Sequence, residues 1–147
     1  MELLLGSHVR EHGNRIGRLA GVELDPPSRI VLRILVSPDG ELGPLASGYM
    51  LPAIALVHDD GEIELRVEAD ADPLPPARDI TLLSRATRLR RGTHYTGRLT
   101  GVEVEPGTRG LVSVMCRQHW WSRRFDVPAE GLDFSKPGEI STGSRAA

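Results

Sequence analysis

The same ten-residue pattern occurs twice in this chain of 147 residues, and this repeat strongly limits the folds that the chain can adopt. Residues 17–26 read GRLAGVELDP, and residues 97–106 read GRLTGVEVEP. The same offset of 80 residues places IVLRILV at 30–36 over GLVSVMC at 110–116. A match sustained without a gap over this length indicates an internal duplication, so the chain contains two copies of one structural unit.

Each of these units is small, which predicts how they are arranged. A small domain buries a low fraction of its surface and is marginally stable alone, so we expect the two units to pack against each other. The sequence predicts a first unit at 1–70, a stiff proline-rich linker at 71–78, a second unit at 79–135 and a flexible polar tail at 136–147.

Alternating apolar and polar residues predict short strands in both units. In the first unit, the alternating stretches 15–24 and 29–36 are joined by the turn sequence DPPSR at 25–29. The second unit repeats this plan at 96–105 and 111–116, and no stretch has a long helical period. Short antiparallel strands without a covering helix favour closure into a small barrel. The predicted fold is all-β, with two tandem small β-barrels packed together in a pseudo-twofold relation.

The repeated decapeptide carries glycines and an arginine inside its predicted strand. Glycine is tolerated in a strand where the backbone bends or where another backbone approaches closely, and we expect one of these at Gly17, Gly21, Gly97 and Gly101. Arg18 and Arg98 recur at the same place in the two copies. We expect them to be exposed cross-strand partners of acidic neighbours.

The charge is distributed unevenly between the two halves. The formal net charge of −2 gives no reason to expect a nucleic-acid or membrane-surface protein. Residues 1–78 hold 7 basic and 13 acidic residues, a net charge of −6, whereas residues 79–147 hold 11 and 7, a net charge of +4. Either the two units attract each other, or the second unit carries a basic contact surface.

Several features bear on the cellular location. Cys116 is the single cysteine, so no disulfide can form within the chain. The start, MELLLGSHVR, lacks the features of a secretory signal, and the uncharged apolar stretch at 45–57 is too short to span a bilayer. We expect a cytoplasmic protein without membrane insertion.

Catalytic and metal-binding patterns are weak. His8 and His12 lie in a strand-like stretch where their side chains would not converge, and Cys116 and His119 form one pair where structural zinc needs four ligands. There is no Gly-x-Ser-x-Gly elbow and no phosphate-binding loop. We therefore expect no enzymatic activity, no metal and no cofactor.

The segment CRQHWWSRRF at 116–125 has the clearest potential for binding. Side chains alternate along a strand, which predicts one tryptophan inside and the other exposed. Tryptophan and arginine are enriched in interaction hot spots. The predicted partner-binding residues are Arg117, His119, Trp120, Trp121, Arg123 and Arg124. The alternatives are a tryptophan packed over the seam between the units, and contact with nucleic acid or another anion.

A second basic segment, SRATRLRRG at 84–92, precedes the repeat in the second unit. Its candidate anion-binding residues are Arg85, Arg88, Arg90 and Arg91. The two basic segments would form one surface if the fold brought them together, which the sequence does not decide.

The stretch GNRIGRLAGVELDPPSRIVLRILV, followed by YMLPAIALVHDDGEIEL, resembles the PRC-barrel family. The similarity lies in an Ile-Gly pair, a Val-x-Leu-Asp strand, a turn, an apolar strand, a proline-led segment and a last strand. It covers most of 2–67 and, less fully, 81–134. No last strand is evident after Phe134, so we expect the second barrel to be completed by a strand from the first unit or from another chain.

The resemblance implies two functional hypotheses. The family includes a domain of the photosynthetic reaction-centre H subunit, which implies a non-enzymatic protein–protein interaction and assembly module, bound to a protein partner or to itself. It also includes the C-terminal domain of the ribosome maturation factor RimM, which implies an RNA- or ribosome-associated accessory factor acting through the basic second unit. Strong salt dependence of binding would favour the second hypothesis.

Overall fold

A computed structural model describes residues 1–66, 69–73 and 80–142. The predicted linker at 71–78 therefore lies mostly outside the described residues, as do residues 143–147. In the first half, the strands are β1 (Glu2–Leu4), β2 (His8–Glu11), β3 (Asn14–Asp25), β4 (Ile30–Ser37), β5 (Ser47–Met50), β6 (Ile54–Val57), β7 (Ile63–Leu65) and β8 (Asp72–Pro73). A 3-10 turn at Leu51–Ala53 contains Pro52 and leads into β6.

The second half repeats this order of strands. They are β9 (Thr81–Ser84), β10 (Arg88–Arg91), β11 (His94–Val104), β12 (Leu111–Arg117), β13 (Phe125–Pro128), β14 (Leu132–Asp133) and β15 (Glu139–Thr142). In the part of the chain that is described, no helix is long and apolar enough to cross a membrane.

Two strongly curled sheets form two small barrels, so the predicted all-β tandem-barrel fold is confirmed. The first sheet has the strand order β6-β7-β2-β3-β4-β5-β8, and the second has the order β14-β15-β10-β11-β12-β13. Each sheet receives one more strand on its long central strand: β9 pairs with β3, and β1 pairs with β11. The core is one continuous cluster that draws residues from both units, as the small size of each unit predicts.

The first strand of each unit is exchanged with the other unit. Leu3 of β1 lies opposite Val102 of β11, and Leu83 of β9 lies opposite Val22 of β3. Both partners are shifted by the same 80 residues, so the exchange obeys the pseudo-twofold relation. Leu3 and Leu83 are almost fully buried. The second barrel thus takes a strand from the first unit, but this is its first strand and not the missing last strand that the sequence analysis expected to be replaced. The exchange is reciprocal.

The seam between the units shows the same symmetry. The Val31 N–H donates to the Arg109 carbonyl at 2.8 Å, and the Leu111 N–H donates to the Arg29 carbonyl at 2.9 Å. Arg29 and Arg109 both have positive φ, 58° and 63°. These equivalent turns join the two barrels at the pseudo-twofold axis.

The last strand of the second barrel comes from its own unit, which corrects the prediction of a flexible tail at 136–147. Ile140 of β15 lies parallel to Leu89 of β10, just as Ile63 of β7 lies parallel to Val9 of β2. Ile140 is fully buried, and this burial holds the segment in the barrel. The sequence carries a signal for it, since GEI occurs at both 61–63 and 138–140.

The strand glycines lie at close backbone approaches, as predicted. A Cβ at Gly21 would lie 2.5 Å from the Leu83 carbonyl oxygen, and one at Gly101 would lie 2.6 Å from the Leu3 carbonyl oxygen. Both oxygens belong to exchanged strands. Glycine at these two positions therefore lets the exchanged strands pack against β3 and β11.

Candidate functional site

A groove on the second unit brings most of the predicted binding residues together. It has a volume of about 1010 Å³ and no acidic residue in its lining. Five arginines line it: Arg85, Arg88, Arg98, Arg117 and Arg124. Four rings line it as well: Tyr95, His119, Trp120 and Trp121. We call it the arginine–tryptophan groove.

Three of these arginines form a row across adjacent strands. Arg88 of β10 lies opposite Arg98 of β11, and Arg98 lies opposite Arg117 of β12. Directly opposed residues on antiparallel strands point to the same face, and neighbouring strands lie about 4.7–4.9 Å apart. The backbones that carry the three arginines therefore span about 10 Å across the sheet. Like charges in this arrangement destabilise a sheet.

The row exists in the second unit alone. The equivalent positions in the first unit are His8, Arg18 and Ser37. Arg18 donates a hydrogen bond from Nη1 to the Gly6 carbonyl at 3.1 Å. The expectation that Arg18 and Arg98 face acidic cross-strand neighbours is therefore wrong, because the register places other residues opposite them.

The tryptophans lie in the turn between β12 and β13 and not in a strand. The alternation of a strand does not apply there, so the prediction of one buried tryptophan is wrong. Trp120 is 82% exposed and Trp121 is 67% exposed. The His119 ring stacks on the Trp121 ring with centroids 4.5 Å apart, and Trp120 lies edge-on to Trp121 at 5.5 Å. The seam between the units is thus not covered by a tryptophan.

The turn that carries the rings is held by a few local contacts. The Ser122 N–H donates to the His119 carbonyl at 2.9 Å. Arg117 Nη1 donates to the Trp120 carbonyl at 3.4 Å. These contacts fix the backbone of the turn while its large side chains stay in solvent, an arrangement suited to contact with a partner.

Three of the predicted site residues do not line the groove. Arg123 and Arg91 are exposed elsewhere, and Arg90 Nε lies 2.6 Å from the Glu139 carboxylate. The equivalent pair in the first unit is Arg10 and Glu62, at 2.9 Å. Arg90 therefore belongs to the ion pair that joins the second and last strands of each barrel.

Sequence reasoning missed two main contributors to the groove. Arg98 belongs to the repeated decapeptide, and a repeat of this kind is explained by the needs of the fold. Its position beside Arg88 and Arg117 follows from strand register. Tyr95 precedes the repeat, and its hydroxyl donates to the Gln118 carbonyl at 3.5 Å, bridging β11 to the tryptophan turn. No sequence pattern indicated either contact.

Acidic groups occur at one end of the groove. Arg124 lies 3.8 Å from a carboxylate oxygen of Glu2 and 3.8 Å from one of Asp126. These are long ion pairs on the surface, where such pairs contribute little. Within the described ranges, Arg85, Arg88, Arg98 and Arg117 form no ion pair, and the positive charge of the groove stays uncompensated.

The described residues do not form a reactive cysteine or a metal site here. Burial raises the pKa of the Cys116 thiol to about 12, with a smaller contribution from the nearby Asp126 charge. Its side chain is fully buried, as expected for a small hydrophobic residue. Across residues 1–66, 69–73 and 80–142, no group of three or more His, Cys, Asp or Glu side chains is arranged to hold a metal ion.

No protein-family model matches the chain. No curated protein matches it significantly in sequence. Membership of the PRC-barrel family therefore stays a prediction.

The arginines define the chemistry of the groove. Guanidinium groups stay protonated in proteins and donate in a planar fork, so they can bind an anion but cannot act as proton acceptors. The groove has the chemistry of a binding surface for an anionic partner.

Proposed function

We propose that the protein is a non-enzymatic tandem-barrel module that assembles with a protein partner through the arginine–tryptophan groove. The row of Arg88, Arg98 and Arg117 supports this proposal most directly. Three like charges placed side by side cost stability, and an anionic partner offsets this cost by neutralising them. The bound protein partner would thus stabilise the sheet that it contacts.

The tryptophans provide the second component of such an interface. A binding hot spot typically combines tryptophan or arginine with contacts that exclude water. Trp120 and Trp121 stand at the side of the groove with most of their surface in solvent. A partner that covered them would bury a large apolar area in addition to neutralising the arginines. We also propose that the protein belongs to the PRC-barrel family and that it is cytoplasmic.

A second candidate is association with RNA or the ribosome, and one observation favours it. Single-stranded nucleic acid binds to basic grooves in which aromatic rings stack on the bases. The exposed ring of Trp120 and the neighbouring row of arginines offer these two contacts. This candidate predicts affinity for a short oligouridylate that falls steeply with salt, because phosphate contacts release counterions.

Affinity capture from native lysate, with and without nuclease, tests the proposal. The variant is Trp120→Ala/Trp121→Ala, and the matched control is Leu45→Ala, which removes a 74% exposed side chain from the equivalent turn of the first unit. We expect a nuclease-resistant protein partner that the control retains and the tryptophan variant loses. Recovery of RNA or ribosomal proteins that disappear with nuclease would instead support the second candidate.

Folding of the variants is checked by circular dichroism and thermal unfolding. Both tryptophans are exposed, so their replacement is expected to change stability by less than about 0.5 kcal/mol. A folded tryptophan variant that captured the same partner as the wild type would show that the groove is not the docking site.

A further inference from the structure

We infer, on the basis of the proposed function, that the protein partner binds through an extended acidic segment that adds as a strand to the edge of β13. The arginine–tryptophan groove would bind its acidic side chains, and the backbone of β13 would fix its direction. This arrangement is strand addition, in which main-chain hydrogen bonds provide affinity and side-chain contacts provide specificity.

The two units differ at this edge, which no strand covers in the described part of the second unit. β5 of the first unit pairs with β4 on one side and with β8 on the other. Its counterpart β13 pairs with β12, and no described strand covers its other side. An open edge presents backbone donors and acceptors to any extended chain.

The register identifies the backbone groups at the open edge. The Ala129 N–H donates to the Val112 carbonyl at 2.9 Å, so alternation directs the N–H groups of Val127 and Phe125 toward β12 as well. The N–H and carbonyl of Asp126 therefore point away from β12. Gly48, the equivalent residue of β5, pairs there with Asp72 of β8.

The first unit thus shows what occupies the equivalent edge. There, the occupant is an extended segment of this chain, with Asp72 opposite Gly48 and Pro73 opposite Ser47. It belongs to the acidic sequence EADADP at 68–73. An extended acidic peptide on β13 would repeat, between two molecules, a pairing that the first unit makes within one molecule.

Charge explains why an acidic segment fits the second unit. Cys116 and Phe125 are the last paired residues of β12 and β13, and the next residues, Arg117 and Arg124, both line the groove. The arginine row therefore reaches the open edge. An acidic residue opposite Arg124 on an added strand would neutralise the end of this row through a cross-strand ion pair.

The edge also limits where the segment can bind. Pro128 has no N–H and the Asp126 carboxylate repels acidic groups beside it. The added strand is thus expected to be short, covering residues 124–127, with its acidic side chains directed toward Arg124 and the groove.

Fluorescence polarisation with two labelled peptides tests the inference. The first peptide is EADADPLPPARD, the sequence of residues 68–79, and the second carries amides in place of its four acidic residues. Asp126→Pro removes the N–H that points outward, at an edge position where proline is tolerated. Asp126→Ala keeps this N–H and removes the carboxylate.

We expect the wild type to bind the acidic peptide and not the amide peptide. Asp126→Pro should weaken binding by about threefold to tenfold, the effect of one lost hydrogen bond, whereas Asp126→Ala should bind at least as tightly as the wild type. In the wild type, the Asp126 amide should gain protection from hydrogen exchange when the acidic peptide binds. This last measurement keeps the test decisive if Asp126→Pro fails to fold.

The remaining outcomes separate this inference from the proposed function. If Arg98→Ala loses the acidic peptide while Asp126→Pro binds it normally and the Asp126 amide gains no protection, the groove binds acidic segments without strand addition. Strand addition is then wrong, and the proposed function stands. If neither peptide binds and a short oligouridylate does, both are wrong and RNA is the ligand.

Discussion

Glu23 of β3 and Arg33 of β4 form a bidentate ion pair that is buried within the first unit. Arg33 Nε donates to Glu23 Oε1 at 2.6 Å, and Arg33 Nη2 donates to Oε2 at 2.5 Å. The residues are 4% and 7% exposed. A Cβ at Gly48 would lie 2.8 Å from Arg33 Nη1, so the glycine makes room for the guanidinium group. The second unit has Glu103 and Ser113 at these positions, 3.5 Å apart.

Replacing Arg33 by serine, the residue at the equivalent position 113 of the second unit, should be strongly destabilising. Arg33→Ser leaves the Glu23 carboxylate buried without its charged partner, which typically costs about 3–5 kcal/mol. We expect a loss of this order in the free energy of unfolding, measured by urea denaturation. Ser113→Ala is the matched control in the second unit, and it should cost less than about 1.5 kcal/mol. A small loss for Arg33→Ser would show that the pair is accessible to water.

Much of the fold follows from the sequence, but the strand exchange does not. The repeated decapeptide and the alternation in 29–36 predict two barrels, because burial of one face fixes both strand and register. The strand exchange cannot be predicted from the same patterns. Since Val22 and Val102 occupy equivalent positions, Leu3 finds the same partner residue in either unit, and local patterns cannot choose between them.

The candidate site, like the fold, could be predicted only in part from the sequence. The tryptophans and the flanking arginines can be picked out by residue type, because tryptophan and arginine are enriched in interaction hot spots. Arg98 was not picked out, because its place beside Arg88 and Arg117 depends on the exact register of β11 with β10 and β12, and bulges shift both registers. The prediction that one of the two tryptophans is buried was wrong, because a turn does not follow strand alternation.

The exchange predicts that a mutation in the first strand destabilises the opposite unit. Leu3→Ala creates a cavity beside Val102 and should cost about 2–5 kcal/mol. In hydrogen exchange, the added opening should appear first in β11 and β12 rather than in β3 and β4. The mirror variant, Leu83→Ala, should loosen β3 and β4 first. If Leu3→Ala loosened the first unit instead, the first strand would pair within its own barrel.

The two glycines beneath the exchanged strands should not tolerate a side chain. Gly21→Ala and Gly101→Ala place a Cβ less than 3 Å from a backbone oxygen, which an exchanged strand can relieve only by moving away. We expect each to lower the free energy of unfolding by at least about 1–3 kcal/mol, by analogy with overpacked cores. Gly43→Ala is the control, since its added Cβ would meet nothing within 4 Å. Thermal unfolding of the three variants makes the comparison, and equal stability would contradict the close packing.

One histidine should titrate above its ordinary range. The hydrogen bond from His58 Nε2 to Glu64, 3.0 Å long, raises the pKa of His58 above 6.5, although partial desolvation opposes it. A raised pKa means that the stabilisation is complete below pH 6.5 and is lost as the pH rises through the folded-state pKa. An NMR titration of the imidazole should show this shift in the wild type and a lower pKa in Glu64→Gln. Identical titrations would show that the hydrogen bond does not persist in solution.

The lone thiol should be inert until the second barrel opens. Cys116 is fully buried, and burial raises its pKa to about 12, so almost none of it is thiolate near neutral pH. Since the thiolate is the reactive form, labelling by a disulfide reagent near pH 8 should be about a thousandfold slower than for a free cysteine. Guanidinium chloride should restore the ordinary rate, and Cys116→Val, which introduces the residue found at position 36, should fold normally and take up no label. Rapid, complete labelling of the folded wild type would mean that β12 and β13 separate readily, and the edge beside the arginine–tryptophan groove would then be mobile rather than preformed.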